Sequence, residues 1–176
     1  MGLNTAQVEK IKEVLKGKDV WLLAGDPSWS AAEMQTAAKL ATEAEFSGLV
    51  LDCEPWVNEG WSKDEFDKAI RETTEKSSIP VMACIPFWLE SQEIIDAADG
   101  VVVMMYLVGQ ENLAKPIIDK CKKEGKSVMM ALELQPPNGD VKKENTYDGD
   151  VDAAIKAWKP YQDRCGLALH YLQILK

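Results

Sequence analysis

Six short, β-rich apolar runs alternate along the chain with amphipathic helical stretches, and this alternation limits the fold more than any other feature. The runs are DVWLLAGD (19–26), GLVLDCE (48–54), PVMACIPF (80–87), GVVVMMYL (100–107), SVMMALEL (127–134) and GLALHYLQIL (166–175). They are apolar on both faces rather than cleanly alternating, as strands of a parallel sheet covered by helices must be. Two intervening helices announce their starts with a capping box, Ser30 with Glu33 and Ser62 with Glu65. No low-complexity linker and no second composition regime interrupts the series. Residues 1–176 therefore read as a single domain of βα units.

An open doubly wound sheet and a (β/α) barrel both use such units. The strand ends favour the barrel. Polar and aromatic residues gather at or just after the carboxyl end of nearly every run: Asp26 and Trp29, Asp52 with Glu54 and Trp56, Trp88, Tyr106, Glu133 with Gln135, and His170. In a barrel these ends converge. Neither GxGxxG nor GxxxxGK[ST] occurs, so the glycine-rich phosphate loop of a nucleotide-binding open sheet is missing. Six units are two short of eight. The runs are accordingly read as strands three to eight of a TIM-type α/β barrel lacking an N-terminal strand pair. A native minimal fold and completion by a partner subunit are the other readings, and a homo-oligomer covering exposed strand edges is the expected assembly.

Bulk properties bear on the ligand. A formal charge of -9 repels nucleic acid and anionic membranes, and no run approaches the roughly 18 apolar residues of a membrane span. The chain shows neither a signal peptide nor a transmembrane segment, which leaves secreted and cytoplasmic locations both open. Cys53, Cys84, Cys121 and Cys165 have no CxxC spacing, so neither a disulfide nor a cysteine-ligated zinc is expected. No cofactor is expected either.

FSGLVLDCEPW (46–56) carries the strongest chemical signal. Strand alternation puts Asp52 and Glu54 on one face, about 7 Å apart, with Leu49, Leu51 and Cys53 on the other. Two like charges so placed in a partly desolvated cup push one pKa upward, which keeps a proton available for general acid work. A DxE at a strand end also serves as a plain helix cap or ion-pair partner.

The stretch resembles the fourth-strand signature of family 18 glycoside hydrolases, the chitinases and endo-β-N-acetylglucosaminidases. Phe46, Gly48, Asp52, Glu54, Pro55 and Trp56 fit it, while Ser47 and Val50 stand where that family has aspartates. Met104 to Tyr106 is similar to the MxY of the family's sixth strand, although Leu107 replaces the following aspartate. The resemblance implies that Glu54 is the general acid and that Asp52 and Tyr106 hold a substrate acetamido group. The chain also resembles the retaining-glycosidase clan, which implies Glu54 as acid/base on strand four and Glu133 as nucleophile on strand seven. WLLAGDPSW, LDCEPW, MALEL and GLALHY are similar to uncharacterised bacterial glycosidase-like barrel proteins.

A glycoside hydrolase acting on a polysaccharide or glycan is the reading these features share. Trp29, Trp56 and Trp88 would then stack on sugar rings, and Asp26, Gln135 and His170 would bind hydroxyls. Two alternatives stay open. One is a non-catalytic carbohydrate-binding barrel. The other is a metal-dependent barrel hydrolase or isomerase using Asp26, Asp52, Glu54, Glu133 and His170, ranked lower because their spacing is not metal-specific.

Overall fold

The computed structural model describes residues 19–26, 28–54, 62–89, 91–138 and 141–170. Six strands, β1 (Trp21–Ala24), β2 (Gly48–Leu51), β3 (Val81–Pro86), β4 (Gly100–Met104), β5 (Ser127–Glu133) and β6 (Gly166–His170), follow one another in the sheet in chain order. The helices between them are α1 (Ala31–Glu43), α2 (Lys63–Lys76), α3 (Gln92–Ala97), α4 (Lys115–Lys123) and α5 (Val151–Trp158). The pairings of β1 with β2, β4 with β5 and β5 with β6 are parallel. Parallel strands in sequence order, alternating with helices, make this an incomplete TIM-type α/β barrel fold.

Burial explains the apolar runs. Every residue of β2, β3 and β4 is buried, whereas β1 and β6, the two ends of the strand order, are only partly covered. The apolar runs overstate β1, β2 and β4. β1 closes at Ala24, because Asp26 leaves the ladder to form an Asx turn in which its Oδ1 accepts from the Ser28 amide at 2.8 Å. β6 is described to His170, and residues 171–175 of the expected strand lie outside the described residues.

The chain divides into two compact units, one ending at Met82 and one beginning at Ala83. In the first, both expected capping boxes form. Glu33 Oε2 accepts from the Ser30 amide at 2.6 Å, and Glu65 Oε2 accepts from the Ser62 amide at 2.9 Å. Helix α2 buries Phe66, Asp67, Ala69, Ile70 and Thr73, the three-and-four spacing of a core-facing stripe. Gly48 is required by packing, because a Cβ there would lie 2.4 Å from the Trp21 ring. In the second unit, Ile94 and Ile95 of α3, Ile117 and Ile118 of α4 and the apolar side chains of β4 form a fully covered core. The four cysteines are buried and unbridged.

Candidate functional site

At the carboxyl ends of β1 and β2, Gly25 and Asp52 approach so closely that a Cβ on Gly25 would meet the Asp52 carbonyl oxygen at 2.2 Å. The ladder carries past the strands here, with the Asp52 amide donating to the Ala24 carbonyl at 3.1 Å. Asp52 and Glu54 are half-buried, and Cys53 between them is buried, but all three lie beyond β2, which ends at Leu51, so strand alternation does not set their directions. The Cys53 thiol is pushed up to about 11. Burial is the main cause, opposed by the Asp26 amide bonded to the sulfur and assisted by the neighbouring carboxylates of Asp52, Asp26 and Glu33.

Glu54 has a left-handed backbone, φ +35°. Among the described residues two other non-glycine positions share that region, and both have local reasons. Glu45 ends α1 in a Schellman turn, with the Phe46 amide donating to the Ala41 carbonyl at 2.9 Å. Asp148 lies in a turn whose amide donates to Thr146 Oγ1 at 3.0 Å. Glu54 terminates no helix. Such strain costs about 1 to 3 kcal/mol and concentrates at functional sites.

The second unit builds a different group. Glu133 and His170 are register partners across β5 and β6, which sets their side chains side by side on one face. Glu133 Oε2 lies 2.6 Å from His170 Nδ1, and Glu133 Oε1 accepts from the Gln135 amide at 2.7 Å. Both oxygens of a carboxylate that is only 5% exposed are thus engaged. Tyr106, two residues beyond the end of β4, stacks on the His170 ring with centroids 5.9 Å apart and planes 17° from parallel. The imidazole itself is half open to solvent.

Sequence reasoning missed the loop that fixes this group. The Tyr147 amide donates to the Glu133 carbonyl at 2.9 Å, and the Thr146 hydroxyl bridges the Glu133 and Gln135 carbonyls at 3.2 and 2.6 Å. The Tyr147 hydroxyl donates to Glu111 Oε1, which also accepts from the Gly109 amide at 2.8 Å. Burial, and after it the Glu111 carboxylate, pushes the Tyr147 phenol above its ordinary range. The turn-rich string NTYDGD (145–150) was the available signal, together with a glutamate at the start of the apolar-spaced ENLA.

The remaining expected residues fall as follows. Asp26 is exposed and held by Ser28, whose hydrogen bonds keep its carboxyl below the usual range. Trp29 is half-buried and Trp88 is 59% exposed, while Trp56 lies outside the described residues. Gln135 contributes through its backbone amide and carbonyl. Among the described residues, no three acids, cysteines or histidines converge where one ion could be held. A groove of about 390 Å³ between α1 and α2, lined by Gln35, Thr42, Thr73 and Ser77 among others, lies in the helix layer and takes in none of these residues.

No protein-family model and no curated protein matches the chain. Solved structures do. The spore cortex-lytic enzyme SleL of Bacillus cereus is 9% identical with a TM-score of 0.63, over 98% of this chain and 60% of its own. A GH113 β-1,4-mannanase is 14% identical with a TM-score of 0.64, over 93% of this chain and 66% of its own. The GH18 chitinase ChiB of Flavobacterium johnsoniae is 14% identical with a TM-score of 0.50, over 99% of this chain and 67% of its own. Barrel enzymes of other chemistries match as well. The chain thus spans about three fifths to two thirds of the glycosidase structures it resembles, and what it shares with all of them is the TIM-type barrel fold.

Proposed function

We propose that the chain is the glycosidase-like barrel of a glycoside hydrolase, with Glu54 as general acid and Asp52 as its partner. The observation that carries this reading is the left-handed backbone of Glu54, two residues after Asp52 at a strand end where no helix terminus requires it. A half-buried carboxyl so held is suited to deliver a proton to a glycosidic oxygen. Its partner would orient an N-acetyl group of the substrate for internal attack, the chemistry implied by the likeness of FSGLVLDCEPW to family 18. Glycosidases among the structural neighbours support the class, and a glycan containing N-acetylglucosamine is the proposed substrate.

A covalent mechanism with Glu133 as nucleophile is the second reading. The burial of Glu133, 5% exposed, weighs against it, because a nucleophile must be reachable by the sugar carbon.

Glu54→Gln should lower turnover of unactivated glycosides by about 10² to 10⁴ while leaving glycan affinity nearly intact. Asp52→Asn should be the more damaging companion change on N-acetylglucosaminides. A larger loss from Glu133→Gln on β-mannan would move the chemistry to the covalent route. Wild-type rates in all three variants would end the hydrolase reading, and retained glycan binding without turnover would replace it with a non-catalytic carbohydrate-binding barrel.

A further inference from the structure

His170 is the single histidine of the chain, and beyond an expected part in binding hydroxyls the hydrolytic scheme gives it no defined role. Its surroundings are specific. Glu133 meets Nδ1 at 2.6 Å, and Glu133 is itself held by the Gln135 amide and, through its carbonyl, by Thr146 and Tyr147. A carboxylate oxygen accepts hydrogen bonds and does not donate them, so the shared hydrogen belongs to Nδ1. In the neutral ring Nε2 is then a bare acceptor. It has no partner among the described residues, and the ring that carries it is half exposed and fixed in plane by Tyr106.

We propose that His170 Nε2 accepts a hydrogen bond from a ligand hydroxyl. Glu133 is the positioning residue that sets the ring's tautomer, and Tyr106 sets its plane. The site reads donors: a hydroxyl is accepted at Nε2, whereas the matching methyl ether has no hydrogen to give it and is bound less well. That the hydroxyl belongs to a sugar rests on the glycan reading above.

The lone histidine makes the test direct. Ring-¹⁵N histidine labelling yields one imidazole spectrum, which in the neutral ring should show hydrogen on Nδ1. Glu133→Ala should return it to Nε2, the form a free imidazole side chain prefers. Methyl N-acetylglucosaminide or methyl mannoside should shift the wild-type Nε2 resonance and leave that of Glu133→Ala in place. Hydrogen on Nε2 in the wild-type ring, or an Nε2 resonance that neither probe moves, overturns the proposal even if Glu133→Ala fails to fold. No turnover is involved. Failure of the Glu54 experiment with success here removes the hydrolase and keeps the hydroxyl site, and the reverse result removes only the hydroxyl site.

Discussion

The Tyr147 hydroxyl is the outer bolt of the second unit's polar group. Tyr147→Phe leaves the Glu111 carboxylate, 9% exposed, with the Gly109 amide as its remaining donor among the described residues and removes a hydrogen bond to a charged group. The expected cost is about 2 kcal/mol, read as a lower urea midpoint at unchanged slope. Thiols give a second residue-level test. Burial holds Cys53 and Cys121 up to about 11, against an ordinary value of 9.0. The folded chain therefore keeps these protons at pH values where the unfolded chain releases them. Their stabilising contribution is complete below about pH 9 and is lost as pH rises to about 11. Denaturant titrations across that window should show a smaller loss in Cys53→Ala/Cys121→Ala than in the wild type. Of the residues in the candidate site, Asp52 and Glu54 stood out from a local string, which names the residues but not the left-handed backbone at Glu54. Glu111, Thr146 and Tyr147 were not, since their partners are chosen by a loop folding back over 11 to 36 residues.

Among the elements, helices were read most accurately where a capping box marks the start, as at Ser30 and Ser62. Strands were found but drawn too long at β1, β2 and β4, because hydropathy persists past the last ladder residue while Asp26 and Glu54 turn away. The pairing of Glu133 with His170 could not be read from either strand alone, because it depends on register. Helix α2 carries a discord. Thr73 sits fully buried on its apolar stripe, and its hydroxyl has no hydrogen-bond partner among the described residues. Valine has the same shape without the polar atom. Thr73→Val should therefore stabilise the protein by about 1 kcal/mol, seen as a raised thermal midpoint.

For the molecule as a whole, 29 acidic against 20 basic side chains give a net charge of -9. Like charges repel across a compact body, and salt shortens their reach from about 30 Å at 0.01 M to about 8 Å at 0.15 M. Thermal stability should accordingly rise with sodium chloride over that range; a midpoint that falls would mean that attractive ion pairs dominate. The order of the strands has a further consequence. Each new strand lies beside the one made just before it, so pairing never waits for a distant part of the chain. During synthesis, a βα segment leaving the ribosome already finds its neighbour in place. The protein can be assembled by accretion, in the order in which it is translated, with the youngest strand always forming the growing edge.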